Sequence, residues 1–376
     1  MRAAPSLPTF FGAGFECSTH RRRDGRRLDL VAATAHDRFA AADYHACRAH
    51  GLGWARDGLR WHLIEQSPGE YDWSSWLTQL RAAEASGVAV FWDLCHYGWP
   101  DGLDIWSPAF VDRFARFARA AAEVLASETD RVPLWCPINE PSFWSWAGGD
   151  AAAFNPNTNG RGFELKALLV SAAVAASEAV LDVDPRARLL HADPVINVVP
   201  HPDRPHEAEV AEGHRLAQYQ AWDMVSGEMW PQLGGRPELL DLVGVNYYDH
   251  NQWLHGGGHL FEGDALYRPL RHILAEVHER YRRPMVIAET GTEGDRRAAW
   301  LRKIGREAEA ARTAGVPLHG CCLYPVTDYP GWDNDRPCAT GLFGPPEADG
   351  RRPVHGPLMA ELERQRGLFG PDPGAA

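Results

Sequence analysis

Lysine is almost absent from this 376-residue sequence: Lys166 and Lys303 are the only two, and arginine supplies every other fixed cation. Cations as a whole are outnumbered, 38 against 50 carboxylates, for a formal net charge of −12. That balance repels a phosphate backbone or an anionic membrane surface, so neither nucleic acid nor membrane is expected as a partner. No apolar run reaches the length that spans a bilayer. The first ten residues carry Pro5 and Pro8 and lack the apolar stretch of a secretory leader. Cysteine pairs are missing too. The seven cysteines, at 17, 47, 95, 136, 321, 322 and 338, are odd in number and form no Cys-x-x-Cys. Reduced thiols, no zinc site and a cytoplasmic location are the simplest expectation. There is no His-Glu-x-x-His, which argues against a metal hydrolase, and His255 and His259 flank a glycine-rich loop that reads as solvated. Gly12-Ala13-Gly14 lacks the third glycine of a dinucleotide fingerprint, because Cys17 stands in its place. No cofactor and no metal are expected.

What the chain does have is an ordinary globular composition, 45% hydrophobic and 23% charged, ample for a core. Short apolar runs at 9–17, 54–61, 88–95, 133–139, 187–193, 242–248, 284–290 and 318–326 read as strands. Stretches of helical period lie between them, near 37–50, 74–86, 108–126, 163–182, 206–226, 268–281 and 295–314, with a last one near 356–366. Punctuation supports several: Asp72 or Ser74 opens one helix, Ser107-Pro108 another, and Gly51, Gly87 and Gly315 close three. Eight strands alternating with eight helices predict an α/β fold, a (β/α)8 TIM barrel in a single domain over 1–366, with a flexible tail over 367–376. The basic cluster His20-Arg21-Arg22-Arg23 with Arg26-Arg27 reads as a solvated loop.

Barrel active sites gather at the C-terminal ends of the strands, so polar residues there are the place to seek function. Strand 2 carries Arg56 and Arg60, strand 3 ends Asp93-Leu94-Cys95-His96-Tyr97, and strand 4 ends Asn139-Glu140-Pro141. Strand 6 ends Asn246-Tyr247-Tyr248, and strand 7 ends Ala288-Glu289-Thr290. An ionisable residue directly after an apolar strand is costly to hold without partners. Glu140 and Glu289 occupy matched positions on strands that face each other across the mouth. Cleavage of a glycosidic bond needs such a pair, one carboxylic acid for the leaving oxygen and one carboxylate for the anomeric carbon.

With Arg56 followed by Trp61, His96, Asn139-Glu140-Pro141, Asn246-Tyr247-Tyr248, Ile287-Ala288-Glu289 and the segment Tyr324 to Trp332, most of the chain resembles glycoside hydrolase family 1. The alternative is a divergent relative in the same clan of retaining (β/α)8 glycosidases. The resemblance implies a β-glucosidase-like enzyme acting on a small glycoside through a covalent glycosyl-enzyme. It implies Glu140 as acid/base, Glu289 as nucleophile and Asn139 as ligand of the sugar's 2-hydroxyl. Arg56 and Tyr248 would support Glu289; Arg60 shares the strand parity of Arg56 and competes for that place. His96 and Asn246 would contact sugar hydroxyls, although a buried histidine also suits a core satisfied by backbone. Asp93 is open between a structural hydrogen bond and a site role. Tyr324 stands where the family has a tryptophan platform, and Trp332 closes the strand-8 segment. Trp92 and Trp135, inside strands, read as core; Trp99, Trp106, Trp144, Trp146, Trp253 and Trp332 are candidates for stacking on sugar faces. The sequence departs from the family at Gly331, where a sugar-gripping glutamate is usual, and at strand 1, where Glu16 or Cys17 replaces a glutamine. Competing readings are transglycosylation through the same intermediate and a carbohydrate-binding barrel without catalysis.

Overall fold

The computed structural model describes residues 4–370. Eight strands close into a parallel barrel: β1 (Phe11–Gly14), β2 (Trp54–Gly58), β3 (Ala89–Asp93), β4 (Leu134–Cys136), β5 (Arg188–Pro194), β6 (Leu242–Asn246), β7 (Met285–Thr290) and β8 (Leu318–Leu323). Each strand pairs with its neighbours in sequence, and β1 closes the ring on β8. The connecting helices are α1 (His36–Ala49), α2 (Ser74–Ser86), α3 (Pro108–Glu128), α4 (Gly162–Val183), α5 (Ala208–Leu216), α6 (Gln220–Ser226), α7 (Leu270–Tyr281), α8 (Arg297–Thr313) and α9 (Gly356–Phe369). This is the single-domain (β/α)8 barrel that the alternation predicts.

Period-two alternation divides each strand between two cores. Trp54, Phe91, Leu134, Cys136, Leu190, Ala192, Leu242, Val286, Ala288 and Cys322 fill the barrel interior. Ala55, Val90, Trp92, Trp135, Leu189, Val243 and Ile287 pack outward against helices. Trp92 and Trp135 are therefore core, as expected. The glycines of β1 answer to this packing. A Cβ at Gly12 would lie 2.3 Å from the Trp54 ring, and one at Gly14 would lie 2.1 Å from the Tyr324 ring. Two aromatic rings press on bare backbone there, and that close approach explains Gly12-Ala13-Gly14 without a nucleotide.

The differences from expectation lie at element ends. The strand expected over 54–61 stops at Gly58, and a helical turn (Trp61–Ile64) begins with Arg60 as its N-cap. The helix expected over 206–226 breaks at a 3₁₀ turn, Ala217–Tyr219, where the Gln218 side chain bonds Ile196 N and O and draws the chain back to the loop after β5. Ser107 precedes α3 with Pro108 at the first helical position, but its hydroxyl bonds Asp104 O and caps no N–H of the helix. The last helix runs through Phe369, past the boundary expected at 366, because the Phe369 ring stacks on Phe10 at 3.9 Å. The remainder of the expected tail, 371–376, lies outside the described residues.

Candidate active site

Both glutamates enter the mouth through a backbone irregularity. On β7 the interior positions are Val286 and Ala288, so simple alternation would turn Glu289 outward. The pairing with β6 slips between Ile287 and Glu289, and the slip places Glu289 opposite Asn246, level with the mouth. Beyond β4, Glu140 adopts a left-handed conformation, φ 46° and ψ 61°. Tyr97, at the end of β3, is left-handed too, with φ 66°. Each such residue costs about 1–3 kcal/mol and persists only where its surroundings enforce it. These two are joined: the Tyr97 hydroxyl donates to Glu140 Oε2.

Arg56 is the hub of the site. It projects inward from β2 beyond Trp54 and is completely buried. Its Nη1 donates to Glu289 Oε1 at 2.9 Å and to Ala288 O at 3.1 Å, and its Nη2 donates to Asn139 Oδ1 at 2.8 Å and Asp93 Oδ2 at 2.7 Å. Nε completes the fork to Asp93 Oδ1 at 3.3 Å. Tyr248 donates to the other oxygen of Glu289 at 2.7 Å. Arg60 takes no part: it pairs with Asp29 and Asp37 at 3.1 and 3.4 Å. Its parity with Arg56 holds only while the strand continues, and β2 ends between them. Asp93 is both structural and part of the site network; Arg56 and His96 hold its carboxyl below the usual range against the opposing effect of burial.

Asn139 links the halves, donating from Nδ2 to the Tyr97 hydroxyl at 2.9 Å and towards His96 Nε2 at 3.1 Å. The His96 ring is oriented from behind by Asp93, at 2.9 Å from Nδ1. It is a buried histidine with partners on both nitrogens and also a wall of the site, so the two readings of it merge. Cys17 Sγ, Asp93 and His96 lie within 4.8 Å of one another. Asp93 already accepts from Arg56 and His96, and burial pushes the Cys17 thiol well up. That donor set is a hydrogen-bonded network around a guanidinium, not a cation cradle.

Glu140 sits in different company. Asn246 Nδ2 donates to its Oε1 at 2.8 Å, and no cation among the described residues pairs with it. Burial first, and then the charge of Glu289, push its carboxyl up to about 8 against the Tyr97 and Asn246 hydrogen bonds, with Asp193 adding in the upward direction. Tyr324 lies against Arg56 at 5.6 Å and parallel to His96 at 6.2 Å. Trp332 meets His20 at 4.7 Å and Tyr97 at 5.6 Å. Glu140, Glu289, Arg56, His96, Asn139, Asn246, Tyr248, Tyr324 and Trp332 are thus assembled at one mouth, and Arg60 is not.

Several further residues border the site. Tyr97 was visible only as part of the strand-3 end. His20, assigned to a solvated loop, is buried beside Trp332, and burial with nearby cations lowers it to about 3. The arginines beside it are held by carboxylates, Arg21 and Arg27 by Asp101 and Arg22 and Arg26 by Asp335. Glu16 and Cys17, left open at strand 1, both line the site. Glu16 accepts from Ser18 N at 3.0 Å, and burial raises its carboxyl. Four buried polar atoms here, His20 Nδ1, Asn246 Oδ1, Tyr324 Oη and Trp332 Nε1, have no partner among the described residues, a condition buried polar groups seldom tolerate. Among the other tryptophans, Trp144 is fully buried with Nε1 bonded to Asn155 O, so it is core and offers no stacking face. Trp106 is covered by the Arg161 guanidinium at 3.5 Å, and Trp146 remains 58% exposed beside Phe143.

No protein-family model matches the chain. Its fold is that of a group of solved β-glucosidases and their neighbours. A family 1 β-glucosidase from Thermotoga maritima superposes with a TM-score of 0.80 over 98% of this chain and 99% of that one, at 16% identity. The T. maritima β-glucosidase bound to glucoimidazole gives 0.79 over 96% and 99%, at 17% identity. The AHE enzyme from Alicyclobacillus herbarius gives 0.80 over 98% and 100%, also at 17% identity. At such identities the likeness is one of fold. A curated relative, the chloroplastic galactolipid galactosyltransferase SFR2 of Arabidopsis thaliana, is 24% identical over 322 residues, 75% of this chain. The chain spans about half (48%) of that relative's length. Among the described residues no helix is long and apolar enough to cross a membrane.

Proposed function

We propose that this protein is a retaining β-glycosidase, β-glucosidase-like and either a member or a divergent relative of glycoside hydrolase family 1. One observation carries the reading. Two glutamates share the mouth of a barrel of β-glucosidase fold, one ion-paired with buried Arg56 and the other without a cation and pushed towards its neutral form. Environments that separate two carboxyl groups in this way assign the acid and the base. In the first step the Glu289 carboxylate bonds to the anomeric carbon as the glycosidic C–O bond breaks, and the Glu140 proton goes to the departing oxygen. In the second, Glu140, now ionised, takes a proton from water whose oxygen displaces Glu289 and frees the sugar. Asn139 would bond the 2-hydroxyl, and His96 and Asn246 the other hydroxyls. The unpartnered atoms of His20, Tyr324 and Trp332 suit the remaining polar edge of a small glycoside. No metal or cofactor enters any step.

A second reading is favoured by one finding, the galactosyltransferase activity named for the curated relative. Transfer to an acceptor hydroxyl uses the same intermediate, with the acceptor in place of water. The test is to follow an aryl β-glucoside by NMR. Hydrolysis with retention releases the β-anomer of the free sugar first, in step with the phenol. Transfer releases phenol in excess of free sugar and forms a new β-glycoside. First appearance of the α-anomer would reject both.

A further inference from the structure

Asp193 is a fully buried carboxylate that the steps above do not use. It stands on β5 with His191 and Leu189, on the face turned away from the interior residues Leu190 and Ala192. It therefore touches no substrate. What it touches is the chain just beyond Glu140. Glu140 is the N-cap residue of the helical turn Pro141–Trp144, yet its own side chain makes no capping bond because both its oxygens are engaged in the site. Pro141 has no N–H to offer. The next donor, Ser142 N, is taken by Asp193 instead, at 3.1 Å from Oδ1 and 3.3 Å from Oδ2. A helix start left without its cap loses stability, and this start carries a left-handed glutamate. The backbone on the other side of Glu140 is pinned to the same strand, Glu140 N donating to Ala192 O at 3.0 Å.

We propose that Asp193 is a positioning residue for Glu140: it supplies from the neighbouring strand the cap that Glu140 cannot supply itself, and places a second negative charge beside the acid/base carboxyl. The inference rests on the reading of Glu140 as acid/base. The charged and titratable groups around the pair come from several elements. Tyr97 faces Glu140 from the end of β3 and Glu289 from β7, while Lys166 of α4 acts on Asp193. The Lys166 ammonium is held by Gln220 Oε1 at 2.9 Å and Ala217 O at 3.3 Å, so it moderates Asp193 without a direct ion pair. Burial raises Asp193 to about 7 against Ser142 and Lys166. It is thus ionised over the range in which Glu140 loses its proton, and its charge favours the protonated acid.

Asp193→Asn keeps an oxygen for Ser142 N and removes the charge; Asp193→Ala removes both. Carbon-13 carboxyl NMR titration of the intact protein reads Glu140 directly, whatever the activity. In Asp193→Asn the Glu140 midpoint should fall by roughly half a pH unit or more. The alkaline limb of kcat/KM on an aryl β-glucoside should fall with it, while the acid limb stays in place. Asp193→Ala should also lose kcat by about tenfold with KM little changed, through misplacement of Glu140. Asp193 ionises first, while Glu140 is still neutral, so Glu140→Gln should leave the Asp193 midpoint within a few tenths of a pH unit of wild type, a check that survives if a position-193 variant fails to fold. An unmoved Glu140 midpoint in a folded Asp193→Asn protein, or an Asp193 midpoint lowered by roughly half a pH unit or more in Glu140→Gln, overturns the proposal. A midpoint that moves while the alkaline limb does not would leave the coupling standing and reject Glu140 as the acid.

Discussion

At the ends of β4 and β7 the same residue type stands in opposite company. Glu289 has a buried guanidinium on one oxygen and a tyrosine hydroxyl on the other. Glu140 has a tyrosine hydroxyl and an asparagine amide, and its charged neighbours, Glu289 and Asp193, are negative. Each side chain is buried, and each is aimed by an irregular backbone, a register slip on β7 and a left-handed residue after β4. The difference in chemistry therefore comes from the partners. One end pairs its carboxyl with a cation, and the other favours a carboxylic acid at neutral pH.

The most severe way to break the comparison is to remove the glutamates one at a time. Glu289→Ala should lower kcat by roughly 10⁴-fold or more on every glycoside, since no covalent intermediate can form. Glu140→Ala should cost kcat/KM, which reports the first step, about 10²–10⁴-fold with a poor leaving group and far less with dinitrophenol, which needs no proton. Equal losses on both substrates would erase the distinction between the two ends. The next test removes the cation. Arg56→Met leaves Glu289 and Asp93 buried without their partner, so chemical denaturation should show a loss of about 3–5 kcal/mol together with loss of activity. Arg60→Met, whose target pairs with Asp29 and Asp37 outside the site, should leave KM and kcat close to wild type.

The pH profile sharpens the same contrast more gently. In the proposed mechanism Glu140 acts in its protonated form, and its raised value of about 8 keeps that form through neutrality. Activity should therefore fall as pH rises through about 8. Glu289→Gln removes the negative charge that is the second cause of the rise, so the Glu140 midpoint read by NMR should move down. The smallest effect concerns the sugar. A Cβ at position 331 would lie 3.2 Å from Asn334 Oδ1 and 3.3 Å from Cys338 Sγ, so the glutamate usual in the resembled family would fit there only if both side chains gave way by a few tenths of an ångström. Asp335, a neighbouring carboxylate, is held by Arg22 and Arg26. Discrimination for the 6-hydroxyl should be weak: kcat/KM for aryl β-glucoside should exceed that for β-xyloside or β-fucoside by less than about 10²-fold.

The barrel and both glutamates were legible because each depends on a local pattern. Apolar runs recur at regular spacing, and a carboxylate directly after such a run is conspicuous. What was hidden depends on how the backbone leaves the strand. Arg60 matches Arg56 by alternation, but β2 stops at Gly58 and the rule stops with it. Trp144 sits in a loop segment by sequence and folds back as core under Tyr97, Trp99 and Asn155. His20 reads as solvated because five arginines follow it within seven residues, yet its ring turns inward against Trp332 and Phe154. Asp193 follows Leu189-Leu190-His191-Ala192 much as Glu289 follows its own run, so the signal was present. Its partner, the Ser142 N–H, is a backbone group fifty-one positions away, and no pattern of side chains announces that.

In the proposed mechanism Glu289 forms the covalent bond to the sugar while Glu140 manages the proton. A 2-fluoro-β-glucoside with a dinitrophenyl leaving group tests it most directly, because the fluorine slows both steps while the good leaving group keeps formation of the intermediate faster than its breakdown. Mass spectrometry should show one added 2-fluoroglucosyl group per chain, on the peptide containing Glu289, with no labelling of Glu289→Ala. A label carried by Glu140, or retained when Glu289 is replaced, would contradict the account.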